Sequence, residues 1–304
     1  MIIDCHGHLA SEKVLPPPFF EGWAKNAARK LGDDGIAADR VQELLLATLD
    51  DEDCSQLLAE MEEAAIDRTV LLVIDFAFAF PDLGFDIEAV HNLHRRAADR
   101  SGRLITFSGV DPRRGKSGVD LLETAIRDWH FRGFKIYPPC GFSPSDPALF
   151  PFYEVCRKYR VPVLTHIGPT SEALSFAHTT PMDVDGAAKN FPEVNFILAH
   201  AGLRWRTEAA LLAEYRSNVY LDMSGFQDGL SNGRFRECLA AHLRDGLSHK
   251  LLFGIDWPIH RLFGSQKRWV EAFKGTCASI DMSAEDLERV MWRNFSSILE
   301  QKGT

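Results

Sequence analysis

Asp4-Cys5-His6-Gly7-His8 closes the first apolar run of the chain and sets two imidazoles one residue apart. In a strand, successive side chains point to opposite faces, so His6 and His8 share a face and can grip one metal ion together. Three later runs end in the same way. Val161-Pro-Val-Leu-Thr-His166 precedes Gly168 and Pro169, Val194-Asn-Phe-Ile-Leu-Ala-His200 precedes Gly202, and Leu251-Leu-Phe-Gly-Ile-Asp256 precedes Trp257 and Pro258. Each is of strand length and composition, and each leaves an imidazole or carboxylate where apolar residues give way to turn residues. One histidine in such a place is more often a hydrogen-bonded packing residue. Four ligand-bearing ends point to one site, because parallel α/β folds build their chemistry at the carboxyl ends of strands.

Outward from these runs, strand-like and helix-like stretches alternate along the whole chain. Strands are expected near residues 1–6, 68–74, 103–109, 133–137, 161–166, 194–199, 218–222 and 250–255. Helical periodicity fills most gaps, over Ile87–Arg100, Gly118–His130, Ala148–Tyr159, Thr207–Tyr215, Gly233–Leu243 and Lys267–Ile280, with a capped start at Ser283. Eight βα units in 304 residues predict a (β/α)8 TIM barrel forming a single domain. The alternation breaks once, at residues 9–67, where a helical insertion follows the first strand, with helices expected over Glu21–Leu31, Ala38–Leu49 and Glu52–Ala65. Starting at Pro16-Pro17-Pro18, it reads equally as a lid over the barrel mouth, a partner surface or a packed insertion. Phe76, Phe78 and Phe80 could wall a substrate, although core packing is the commoner role.

With 45% apolar and 25% charged residues the composition is globular, and a net charge of −9 argues against a nucleic-acid partner, which needs clustered Lys and Arg. No signal peptide or membrane span is visible, so a cytoplasmic protein acting on a small molecule is expected. Six scattered cysteines contain no Cys-x-x-Cys pair and read as reduced thiols. Strict alternation makes Cys5 face away from the metal. His91 and His94 lie three apart on a charged helix and read as a solvated face, and Asp33-Asp34 and Asp50-Asp51-Glu52-Asp53 read as solvated acidic clusters.

Taken together, His6, His8, His166, His200 and Asp256 on an eight-strand rhythm resemble the amidohydrolase superfamily. More narrowly, the chain resembles the amidohydrolase-2 group of metal-dependent TIM-barrel enzymes, which includes aminocarboxymuconate semialdehyde decarboxylase and its relatives and 2-pyrone-4,6-dicarboxylate lactonase. The carriers are residues 4–8, Gly133-Phe-Lys-Ile-Tyr-Pro138, Pro162-Val-Leu-Thr-His166, Leu198-Ala-His-Ala-Gly202, Asn218-Val-Tyr-Leu-Asp-Met-Ser224 and Phe253-Gly-Ile-Asp-Trp-Pro258. The resemblance implies that His6, His8 and His166 bind one divalent metal, with Asp256 as a ligand or a carboxylate beside the bound water. It implies that His200 moves protons or orients substrate. Zinc is the expected metal, with manganese, iron or cobalt as alternatives. Lys135 stands where binuclear members carry a carboxylated lysine, but unmodified it binds an anion or neutralises an oxyanion, and that or a structural role is the preferred reading.

Around this set, Tyr137 and Trp257 are candidates for an apolar wall, and Arg204 for a bidentate contact to a substrate carboxylate. Asp222 could fix a loop or a histidine, and His260 and Arg261 are rim residues. The leading expectation is hydrolysis of a lactone, amide or ester by metal-activated water, with Asp256 accepting the proton and His200 serving the leaving group. Non-oxidative decarboxylation of an aromatic or muconate-like acid is the alternative, and a non-catalytic ligand-binding barrel the third. The oligomeric state is open, a homodimer being common among similar proteins.

Overall fold

The computed structural model describes residues 1–30, 37–47 and 49–300. Eight parallel strands pair in chain order: β1 (Ile3–Gly7), β2 (Arg68–Leu72), β3 (Leu104–Gly109), β4 (Phe134–Ile136), β5 (Val163–Thr165), β6 (Phe196–Leu198), β7 (Val219–Asp222) and β8 (Leu251–Leu252). The last strand returns to the first: Cys5 N–H donates to Phe253 O at 3.0 Å, and a parallel bridge joins Gly7 to Trp257. The expected (β/α)8 barrel is the observed architecture. Strands are shorter than the apolar runs suggest because those runs continue into irregular loops whose backbone still bonds to the neighbouring strand.

The insertion carries α1 (Pro17–Lys30), α2 (Ala38–Leu46) and α3 (Ser55–Glu63). Of the residues expected in or near its helices, Leu31, Asp33 and Asp34 lie outside the described residues. The crossovers are α4 (Ile87–Arg100), α5 (Gly115–Arg127), α6 (Phe150–Tyr159), α7 (Asp185–Asn190), α8 (Arg206–Tyr215), α9 (Arg234–Arg244) and α10 (Gln266–Ser279). The chain then adds α11 (Ala284–Glu288), a π-helical turn at Arg289–Arg293 and α12 (Asn294–Leu299). Six-residue α7 has no counterpart in the sequence reading, being too short to show periodicity. Ser283 caps α11 as expected, its Oγ accepting from Asp286 N–H at 3.0 Å.

Two apolar layers follow from strand alternation. Ile3, Val70, Leu72, Phe107, Leu164 and Ile197 fill the barrel interior, where Phe295 and Ile298 of α12 join them. That helix sits at the amino ends of the strands, since Leu299 O accepts from Arg132 just before β4. The outer layer packs strands on helices, as where Phe134 stacks on Phe152 of α6 at 5.6 Å. With the amino end plugged, the carboxyl end is left for the site.

Two expectations are corrected. Cys5 lies in the interior cluster with Ile3, two residues earlier on the same face, and does not point away from the barrel interior; His6 and His8 join that side because the β1 register slips between Asp4 and Gly7. His91 and His94 are fully buried, not solvated. Each Nδ1–H donates at 2.8 Å to the carbonyl four residues earlier, and His91 Nε2 meets Ser108 Oγ at 2.8 Å while its ring stacks on Phe131. A helix can thus carry imidazoles inward when its own carbonyls take up the Nδ1–H of each ring. All six cysteines are free and buried, and no described helix is long and apolar enough to cross a membrane.

Candidate metal centre

His6 and His8 project from the end of β1 towards Asp256, which follows β8 by four residues. Their Nε2 atoms lie 3.5 and 3.4 Å from Asp256 Oδ1. The three ligand atoms fall within 4.8 Å of one another, and all three side chains are buried. The opposite ring nitrogens are anchored: His6 Nδ1–H donates to Asp222 Oδ2 at 2.6 Å, and His8 Nδ1–H to Leu72 O at 3.0 Å. Anchoring of that kind fixes the tautomer and turns each Nε2 lone pair inward, which is what a metal-binding imidazole requires. The donor set of two neutral imidazoles and a carboxylate fits a divalent transition metal.

A second chain of polar groups runs from β7 to β5. Ser224 Oγ–H donates to Asp222 Oδ2 at 2.8 Å, so its oxygen accepts from His200 Nδ1 at 3.0 Å. His200 Nε2 then accepts from His166 Nδ1–H at 3.3 Å, which leaves the His166 Nε2 lone pair without a protein partner. His166 therefore meets the group through His200, outside the triad of His6, His8 and Asp256. A second cluster, His6, His200 and Asp222, shares His6 with it. Two glycines permit this approach: a Cβ on Gly225 would lie 2.7 Å from His200 Nδ1, and one on Gly254 2.1 Å from Asp222 Oδ1.

Burial dominates the titration of these groups. It drives His6 and His166 well below the usual imidazole range and His200 down to about 3, so all three are neutral near pH 7. Burial pushes Asp222 up, as expected for a carboxylate away from water. For Asp256 burial acts in the same direction, but the surrounding imidazoles of His6, His260 and His8 outweigh it and hold the carboxyl well below its ordinary range. Lys135, on β4, is 1% exposed with no hydrogen-bond partner for its Nζ. Burial lowers it to about 8, against the attraction of Asp256 and Asp222.

Tyr137 continues this wall, its ring centroid 4.8 Å from that of His166 and its hydroxyl 2.6 Å from Thr170 Oγ1. Phe76 packs on Tyr137 at 5.7 Å and is buried, whereas Phe78 is 40% exposed beneath the Arg113 guanidinium. Trp257 is buried with Arg261 across its ring at 5.5 Å. Arg204 is exposed, and no described hydrogen bond or ion pair ties it to the cluster. Over the mouth lies α1: Phe19 meets Phe76, Asn26 donates to Thr170 O at 3.1 Å, and Trp23 packs on His260 and Phe263. The insertion thus spans loops after β2, β5 and β8. Sequence reasoning missed Ser224, and only the spacing Asp222-Met-Ser224 at a strand end could have signalled it.

Solved structures with this fold align over nearly the full chain. They include 2,6-dihydroxybenzoate decarboxylase from Rhizobium (16% identity, 99% of both chains, TM-score 0.71) and 4-oxalomesaconate hydratase from Rhodopseudomonas palustris (18%, 98% of this chain and 95% of that one, TM-score 0.61). A dihydroxybenzoic acid decarboxylase from Polaromonas sp. JS666, with bound manganese and the inhibitor 2-nitroresorcinol, is similar at 17% identity, 100% and 98% coverage and a TM-score of 0.69. No curated protein sequence gives a significant match. Identities this low speak for the fold alone, but the sequence profile of the Amidohydrolase family matches residues 3–294, and the chain belongs to that family.

Proposed function

We propose that this protein is a metal-dependent carbon–carbon lyase that removes CO2 from a small aromatic or unsaturated carboxylic acid. The observation that carries this reading is Lys135, a buried ammonium with no hydrogen-bond partner beside the histidine–carboxylate cluster. A buried cation without a hydrogen-bond partner is costly even with the Tyr137 ring 5.8 Å away, and an anionic substrate relieves that cost where a neutral ester or amide does not. The preponderance of decarboxylases among proteins of similar fold supports the same choice. It reverses the order expected from sequence, where hydrolysis led.

His6, His8 and Asp256 would hold the cation, with His166 Nε2 as the further lone pair on that side. Once bound, a divalent ion, zinc or manganese, supplies Lewis-acid charge at the substrate oxygens. Lys135 fixes the substrate anion, and Tyr137 and Phe76 offer the ring an apolar wall. For a hydroxylated aromatic acid, Asp256 takes the proton of the neighbouring hydroxyl and passes it to the ring carbon that bears the carboxylate. The carbon–carbon bond then breaks, its electron pair returns to the ring and CO2 leaves. The remaining phenolate takes a proton from water, which closes the balance. Beneath the cluster, His200 and Ser224 hold His166 in one tautomer, while α1 limits access of water.

Hydrolysis is the second reading, because Asp256 also stands where it could take a proton from an attacking water. One experiment separates them. The metal-loaded protein is given a panel of hydroxybenzoates, muconate-like acids and lactones, and CO2 and products are followed in D2O. The lyase reading expects CO2 equal to the acid consumed, with one deuterium at the vacated carbon. Release of a ring-opened acid without CO2 would overturn it.

A further inference from the structure

Behind Asp256, on the side away from His6, a small cavity is lined by Gln227, Trp257, His260, Gln266 and Trp269. The space open to a water's centre is about 10 Å³, near the least that holds one molecule. The polar atoms around it are unusual in having no protein partner: Trp257 Nε1, His260 Nδ1, Gln227 Oε1 and both side-chain polar atoms of Gln266. Trp257 and Gln266 are 1% and 2% exposed, so solvent outside cannot serve them. Gln227 spends its amide on Ile255 O at 2.6 Å, which leaves its oxygen as an acceptor.

One water, with two donors and two acceptors, can serve four of these five atoms, all but Gln266 Oε1. We propose that this cavity binds a single ordered water that accepts from the Trp257 indole and the Gln266 amide and donates to His260 Nδ1 and Gln227 Oε1. A water makes about three such bonds in a buried site, and here four residues with unpartnered polar atoms line the space. Its donation to Nδ1 fixes His260 as the tautomer with hydrogen on Nε2, the atom 3.5 Å from Asp256 Oδ2. Asp256 Oδ1 faces the histidine pair and Oδ2 faces His260, so the water acts through His260 to set the carboxylate's orientation. His260 is a positioning residue on this account, and Trp23 and Phe263 hold its ring from outside.

This inference rests on Asp256 as a metal ligand, and the test keeps the two apart. Manganese and zinc binding are titrated for the wild type, His260→Phe, His260→Gln and Gln266→Leu, with thermal unfolding of each metal-free protein as a control for folding. Removal of such an outer partner typically weakens a metal by roughly 10–100-fold. His260→Phe keeps the ring packing and loses the donor, so it should fall in that range, while His260→Gln keeps a donor and should recover most of the affinity. Gln266→Leu should weaken binding by a smaller factor. If His260→Phe binds like the wild type, or His260→Gln is as weak as Phe, the positioning role is overturned. A wild type that binds no metal overturns the metal-centre reading instead. High-resolution crystallography reads the cavity independently of metal: density within about 3.2 Å of Trp257 Nε1 and His260 Nδ1 is expected. A dry cavity refutes the water.

Discussion

Replacing Lys135 with Met tests the electrostatic argument most directly, because it should make the protein more stable and less able to use its substrate. The side chain is 1% exposed, and burial lowers its pKa from 10.5 to about 8. That difference, at 1.36 kcal/mol per pH unit, corresponds to about 3 kcal/mol against folding at pH 7. Methionine has similar length and no charge, so metal-free K135M should unfold at a temperature higher by on the order of 5 °C or more. The pH dependence carries the signature. Between the folded value of about 8 and the unfolded value near 10.5 the unfolded chain binds more protons, so wild-type stability rises with pH across that window. K135M should lack this rise. Paired denaturation curves from pH 7 to 10.5 measure it, and KM for the acid substrate should increase in the same variant. A variant that is less stable at every pH, with turnover intact, would refute both the buried charge and its role.

His6→Ala combined with His8→Ala should reduce bound metal from about one ion per chain to background by elemental analysis, and full retention would place the metal elsewhere. His91 titrates at about 4 when folded against an ordinary value near 6.5, so the unfolded chain binds more protons in between and stability falls as pH drops through that window. His91→Gln should flatten this loss by about 2 kcal/mol between pH 7 and pH 4.5, measured by urea denaturation at those two values. Trp23→Ala should speed removal of metal by a chelator and raise amide exchange around residues 170–173 and 260–263. Unchanged rates would show that α1 does not cover the mouth.

How much of this was legible follows from the physics of each residue. His6, His8, His166, His200 and Asp256 could be read because strand ends are marked by composition, and the fold brings strand ends together whatever the loops do. The barrel itself followed from the same rhythm. What local periodicity could not show was side-chain company. His91 and His94 sit among charges on α4, yet the helix turns them inward, where carbonyls of Ile87 and Val90 accept from their Nδ1–H groups. His260 looked like a rim residue because its distance from Asp256 is set by an irregular loop. Arg204 was expected at the substrate from proximity to His200 in sequence, but the chain turns between them and leaves it exposed.

That turn shows why the last step of such a reading fails where function is built. Among the described residues, ten non-glycine positions have positive φ, and His200, Ala201, Leu203 and Asp256 are four of them. Such conformations cost about 1–3 kcal/mol each unless the surroundings fix them, and neither Gly nor Asn marks these four. The compensating bonds lie on the neighbouring strand end: Asp256 N–H donates to His6 O and His8 N–H to Trp257 O, both at 2.6 Å. The histidine pair and the carboxylate therefore hold each other's backbone before any ion arrives. A strand continued straight through Asp256 would satisfy the alternation rule; β8 instead stops at Leu252, and, four residues on, the left-handed Asp256 turns the chain so that its carboxylate lies between His8 and His260.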